Sequence, residues 1–158
     1  LRSPLSLAAV AALGLLALLA PGTAAAGHSK QVAKQAQNAS LGRSVLTNLQ
    51  GRTLYTLSAE QNGKFICTGG CLSTWRPLLI AAGTKPRGPV ALGTVKRPEG
   101  KTQVTYKGRP LYSFSGDTKA GDANGEGIKD AGTWHAATTS KPAPAPEPQP
   151  YPEQPYPY

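Results

Sequence analysis

Apolar and polar positions divide the chain into three regimes. Leu5 to Ala20 (LSLAAVAALGLLALLA) is an unbroken apolar run. From residue 39 to 139 the apolar positions come in short alternating stretches bounded by Gly, Pro, Asn and Asp, the signature of half-buried strands. From residue 140 proline alternates with other residues. The middle regime predicts an all-β, loop-rich antiparallel domain. Gln103-Val104-Thr105-Tyr106 alternates, Lys107-Gly108 supplies a turn, and Leu111 to Ser115 returns. Pro110 has no N–H, so it is expected at a strand start or an edge. In the first half, Val45 to Leu49 leads through Gln50-Gly51 to Leu54 to Ser58. Period 2 puts Tyr112 and Phe114 on one strand face, as counterparts of Tyr55 and Leu57. Val104 and Tyr106 are their expected cross-strand neighbours. One short helix is expected around Leu72 to Trp75.

The two hairpins are copies. Gly51-Arg52-Thr53-Leu54-Tyr55-Thr56-Leu57-Ser58 recurs as Gly108-Arg109-Pro110-Leu111-Tyr112-Ser113-Phe114-Ser115, with five of eight positions identical at an offset of 57. Ser73-Thr74-Trp75 is echoed by Gly132-Thr133-Trp134 at an offset of 59. Two copies are too few for a solenoid and suit one domain of two similar halves. Large aliphatics are few, so the seven domain aromatics (Tyr55, Phe65, Trp75, Tyr106, Tyr112, Phe114 and Trp134) are expected to form most of the core.

The ends add a compartment. Arg2, the apolar run, Pro21-Gly22 and the small residues to Ala26 read as a signal peptide over 1–26. After its removal no membrane span is expected, because the run is short for one and nothing comparable follows. Residues 27–38 are polar and Gln-rich and read as a flexible spacer. Residues 140–158, with eight of the fifteen prolines in 141–158, read as a disordered polyproline-II tail.

Charge narrows the partners. The chain has 17 Lys+Arg against 8 Asp+Glu. Without Arg2 the net charge is +8, which favours anionic envelope polymers. The basic residues are scattered rather than striped, so nucleic acid is not expected. A monomer is expected.

Candidate chemistry is sparse. Cys67-Thr68-Gly69-Gly70-Cys71 holds the two cysteines of the chain. In an exported protein this pair reads as a local disulfide, with a redox dithiol as the alternative. Asp117, Asp122, Glu126 and Asp130 put half the acidic residues into fourteen positions. Asp122-x-Asn124-x-Glu126-Gly127 matches the first half of a calcium loop, but position twelve is Thr133 and not Glu. The expectation is therefore a self-bonded turn and no cofactor. The alternatives are Ca2+ held by Asp117, Asp122, Asn124 and Glu126, or a transition metal, for which Ala26-Gly27-His28 offers a chelating terminus if cleavage falls after Ala25. His135 has no specific Ser or Cys partner in the sequence, and no phosphate loop or nucleophile elbow is present. No catalytic residue is assigned.

Tyr112-Ser113-Phe114-Ser115-Gly116-Asp117 fits Y-x-[FWY]-x-x-D. With Gly51…Leu54-Tyr55, Cys67…Cys71…Trp75…Pro77-Leu78, Gly108…Pro110-Leu111-Tyr112 and Gly121-Asp122…Gly125, it resembles the bacterial predicted lipoproteins with the Yx(FWY)xxD motif, the secreted repeat of unknown function. The family motif residues are thus Tyr112, Phe114 and Asp117. The first copy, Tyr55 to Glu60, departs from the pattern, with Leu for the aromatic and Glu for Asp. The lipid-attachment Cys is absent, and His135 stands where the family tends to have an aromatic. The resemblance implies a protein secreted or held in the bacterial cell envelope, with no implied activity. The function expected is a secreted, non-enzymatic envelope or extracellular binding module. The alternative is an extracytoplasmic redox- or metal-associated protein using Cys67/Cys71 or the acidic loop 117–130.

Overall fold

The structure, a computed structural model, describes residues 27–139. The expected signal peptide and the proline-rich tail lie outside the described residues. The elements in chain order are β1 (Ser29–Gln31), β2 (Lys34–Asn38), β3 (Arg43–Thr47), β4 (Leu54–Leu57), α1 (Cys71–Thr74), β5 (Trp75–Pro77), β6 (Leu79–Ile80), β7 (Lys85–Arg87), β8 (Leu92–Lys96), β9 (Thr102–Tyr106), β10 (Arg109–Pro110), β11 (Tyr112–Phe114) and β12 (Trp134–Ala136). The fold is all-β, and every pairing is antiparallel except β1 with β7. Among the described residues no helix is long and apolar enough to cross a membrane.

Residues 27–38 are not the flexible spacer their polarity suggests. β1 pairs with β7, and β2 pairs with β3 over five residues. Val32 and Ala33 between them are buried in the core. β2 shows Lys34, Gln35 and Gln37 to solvent while Ala36 and Asn38 turn inward. A two-stranded pair with one wet face needs few apolar residues, so polarity alone misread it.

The hairpins also depart from the simple reading. After the Lys107-Gly108 turn, Arg109 and Pro110 pair with β9 and the Leu111 N–H still bonds the Val104 carbonyl. The Leu111 carbonyl is then taken by the Leu78 N–H and by the side-chain amide of buried Gln103. The Val104 N–H in turn goes to the Leu78 carbonyl, so Leu78 inserts between β9 and the returning strand. The chain therefore crosses to a second sheet, where β11 lies between β4 and β5. Val104 and Tyr106 are accordingly not the cross-strand neighbours of Tyr112 and Phe114. Tyr55 and Pro77 flank Tyr112, and Trp75 faces Phe114.

That second sheet, ordered β12-β4-β11-β5, explains the duplication. Its centre is the pair Tyr112–Tyr55, the same position of the two copies. Outside it, Phe114 faces Trp75 and Leu57 faces Trp134, again equivalent pairs. The register thus defines a pseudo-twofold between β4 and β11, and each copy's Trp strand pairs with the other copy's Tyr strand. The alternation puts Tyr55, Leu57, Trp75, Tyr112, Phe114 and Trp134 into one cluster. Trp75 and Trp134 stack there at 3.8 Å and 9°. A second, aliphatic cluster holds Val32, Leu46, Leu54, Ile80, Val104 and Leu111. The core is therefore aromatic on one side of the sheet and aliphatic on the other, and the seven aromatics do not form most of it: Phe65, Tyr106 and Phe114 are only partly buried.

Candidate functional site

The family-motif residues come together in the interior. Tyr112 and Asp117 are fully buried, and Phe114 is half-buried against Trp75 and Tyr55. Tyr55 donates its hydroxyl to Asp117 Oδ2 at 2.7 Å, and Tyr112 donates to Glu60 Oε2 at 2.8 Å. Glu60 is the position in the first copy that matches Asp117. Each copy's acid therefore holds the other copy's tyrosine. The second carboxylate oxygens are equally matched. Asp117 Oδ1 accepts the Asn124 N–H, and Glu60 Oε1 accepts the Cys67 and Ile66 N–H groups. In both copies the acid bonds the residue seven positions on. The duplicated arginines follow suit, with Arg52 donating to the Asp117 carbonyl and Arg109 to the carbonyls of Ser58 and Glu60.

Burial pushes the pKa of both hydroxyls upward. The neighbouring carboxylates, Asp117 at Tyr55 and Glu60 at Tyr112, push them further the same way. Both tyrosines are locked as neutral donors, an arrangement that suits structure rather than proton transfer at neutral pH.

Sequence reading missed Arg97. It is 3% exposed and donates to Gln103 Oε1, the Tyr112 hydroxyl and the Cys67 carbonyl at 2.5, 3.0 and 2.8 Å. Its guanidinium lies 4.7 Å from the Phe65 ring centre. Burial opposes its charge, but the bonds to Glu99 and Tyr112 raise its pKa nonetheless. Arg97 sits in an ordinary-looking Lys-Arg-Pro-Glu loop, and no sequence signal marked it. Cys67 and Cys71 are joined as a disulfide with Cα atoms 5.3 Å apart. Cys67 is buried, and both its N–H and its carbonyl are bonded.

The acidic loop does not gather its oxygens. Asp117 points into the core. The Asp122 carboxylate accepts the N–H groups of Thr118 and Lys119, and the Lys119 bond first of all lowers its pKa. Asn124 donates to the Gly116 carbonyl. Glu126 accepts the Ala136 N–H and bonds His135 Nδ1 at 3.0 Å. Among the described residues no three His, Cys, Asp or Glu side chains are placed to hold a metal ion.

The surface carries the remaining chemistry. Residues 27–139 hold fifteen Lys and Arg against six Asp and Glu. All six acids are engaged: besides the four above, Glu99 pairs with Arg97, which lowers its pKa, and Asp130 accepts the Trp134 indole N–H. Arg97–Glu99 and His135–Glu126 are the ion pairs found among the described residues. The exposed lysines and arginines are left without carboxylate partners, so the field outside the domain is positive.

Some of these cations border a cleft of about 320 Å³ over β4 and β12, lined by Thr56, Ser58, Tyr106, Lys107, Arg109, His135 and Ala136–Thr138. No acid lines it. Arg109 is fixed there by main-chain carbonyls, which orient its charge without cancelling it. A second depression of about 410 Å³ adjoins it through His135, Ala136 and Thr138, and adds Arg43, Leu41 and Glu126. His135 stands between the two, half-exposed, opposite Thr56 in the register. Among the described residues no hydroxyl or thiol bonds to it.

Residues 93–138 match the model of a family described as a secreted repeat of unknown function. The match spans the second copy, from β8 to just past β12. No curated protein and no solved structure matches the chain. A secreted family and a disulfide both fit an extracytoplasmic location.

Proposed function

We propose that this is a secreted, non-enzymatic binding module of the bacterial cell envelope that holds an anionic envelope polymer in the cleft around His135. The observation that carries the reading is the division of charge. Every acid of the described domain is spent on internal bonds, while Lys107 and the carbonyl-fixed Arg109 border a cleft without a carboxylate. A preorganised cation loses little freedom on binding, and hydroxyls from Thr56 and Ser58 suit phosphate or carboxylate oxygens. The adjoining depression gives room for a second anionic unit at Arg43, and the one carboxylate in its lining, Glu126, is taken up by the Ala136 N–H and His135. The alternative, a redox- or metal-associated protein, has less support, because Cys67 is buried and the loop carboxylates are already bonded.

The test is calorimetric titration with a poly(glycerol phosphate) polymer, with neutral dextran as control. The account expects salt-sensitive binding to the polyanion alone. Lys107→Glu with Arg43→Glu should weaken it at least about tenfold, with the thermal midpoint unchanged. Equal binding by that variant overturns the reading.

A further inference from the structure

The pseudo-twofold carries the cationic cleft onto a second groove. Ala137 donates its N–H to the Leu54 carbonyl just as Leu78 donates to the Leu111 carbonyl. Thr105 pairs with Pro110 as Thr47 pairs with Thr53. The loop at Tyr106-Lys107 therefore corresponds to the loop at Asn48-Leu49-Gln50, and Ala137-Thr138 corresponds to Leu78-Leu79. Those first-copy residues line a groove of about 180 Å³, completed by Lys30, Gln31 and Val32. The duplicated position has diverged. At the offset of 57 Lys107 falls on Gln50 and Tyr106 on Leu49, while at the offset of 59 Thr138 falls on Leu79, so the half-buried Tyr106 and Thr138 of one copy are replaced by two exposed leucines in the other.

Leu49 and Leu79 are the exposed large hydrophobics among the described residues, each at 39%. Both line this one groove, and scattered placement would need no explanation, but coincidence at one site does. Lys30 shares the lining, and Lys34 is anchored by its Nζ on the Leu49 carbonyl at 3.2 Å. Neither lysine pairs with a carboxylate among the described residues. The groove is smaller than the cavities that enclose small-molecule ligands, which leaves a surface partner that is apolar just below an anionic layer.

We propose that this pole docks the domain on an anionic lipid surface, with Leu49 and Leu79 entering the acyl boundary and Lys30 and Lys34 pairing with headgroup phosphates. Apolar side chains ringed by lysines are the pattern that such surfaces select. The proposal is independent of the polymer cleft and uses none of its residues.

The test uses the chain from Gly27 to Tyr158, which keeps every described residue, in vesicle co-sedimentation. The probes are vesicles of phosphatidylcholine with phosphatidylglycerol, and vesicles of phosphatidylcholine alone. The anionic vesicles should pellet the protein and the neutral ones should not. Leu49→Ser with Leu79→Ser, and separately Lys30→Glu with Lys34→Glu, should each weaken pelleting at least about tenfold. The charge-matched control Lys64→Glu with Lys129→Glu should weaken it less. If the serine pair disturbs folding by circular dichroism, Leu49→Ala with Leu79→Ala replaces it. In parallel, the fluorescence of Leu79→Trp should shift to the blue with anionic vesicles. Four results overturn the proposal: no pelleting by anionic vesicles, no effect of the leucine pair, an equal loss in the control, or no blue shift. A wild-type dimer that the leucine pair converts to monomer also overturns it, by assigning the groove to a second copy of the chain.

Discussion

Glu60→Gln tests whether the first copy's apparent departure from the motif is a working part. The wild-type carboxylate is fully buried and accepts three bonds: Ile66 N–H at 2.7 Å, Cys67 N–H at 2.7 Å and the Tyr112 hydroxyl at 2.8 Å. A glutamine of the same shape can keep its carbonyl on the two backbone donors. Its NH2 then meets the Tyr112 hydroxyl, which already accepts from Arg97. The phenolic proton is left without an acceptor, and two bonds lose their charge assistance. A bond to a charged group contributes about 1.5–3 kcal/mol, so the loss should be about 2–3 kcal/mol. Near the midpoint this lowers Tm by roughly 10–20 °C for a domain of this size. Glu60→Ala removes both acceptor oxygens, and with them all three bonds, and should consume most of the 5–15 kcal/mol typical of a whole domain. Urea unfolding followed by tryptophan fluorescence reads both. A Glu60→Gln variant within about 0.5 kcal/mol of wild type would refute the role assigned to this carboxylate.

Alkaline pH should destabilise the domain in a defined way. The unfolded tyrosines ionise near pH 10, whereas Tyr55 and Tyr112 are held above that in the fold. The unfolded state then binds fewer protons, so stability is full below pH 10 and falls above it by up to about 2.7 kcal/mol per pH unit for the two together. Their phenolate absorbance should appear only with unfolding, and titration of all tyrosines near pH 10 in the folded state would contradict this. Gly125→Ala should cost about 1–3 kcal/mol in urea unfolding, because a Cβ there would sit 2.9 Å from the Trp75 and Tyr55 rings. Phe114→Ala should cost about 2 kcal/mol, below the 3–5 of a fully buried aromatic, because the ring is only partly buried; a neutral thermal shift would remove it from the core. Millimolar calcium should leave Tm unchanged, since Asp117 and Asp122 already have donors; a rise abolished by Asp122→Ala would restore the metal reading.

The duplication, the turns and the all-β class were legible because identity at a fixed offset and period-2 alternation are local signals. How the copies engage was not. Tyr55–Asp117 and Tyr112–Glu60 join residues 62 and 52 positions apart, and nothing local distinguishes an acid that serves its own copy from one that serves the other. Glu60 looked like decay of the motif because sequence compares side-chain identity, whereas the fold needs only a buried acceptor, which Glu supplies with a longer reach. The β1–β2 segment failed for the opposite reason: its exposed Gln and Lys hid two buried residues, Val32 and Ala33. Asn38-Ala39-Ser40 has a glycosylation pattern, yet Asn38 is buried and bonds the Gly121 carbonyl. The leucine groove was invisible because its walls, Lys30 to Val32, Asn48 to Gln50 and Leu78-Leu79, are far apart in sequence and meet only in the fold.

The exchange of acids between copies is tested most directly by double-mutant cycles in urea. Tyr55→Phe is combined in turn with Asp117→Asn and Glu60→Gln, and Tyr112→Phe likewise. The account predicts coupling of about 1 kcal/mol or more for Tyr55 with Asp117 and for Tyr112 with Glu60, and additivity within about 0.5 kcal/mol for the two pairs inside one copy. Coupling of Tyr55 to Glu60 or of Tyr112 to Asp117, with additivity across the copies, would contradict it.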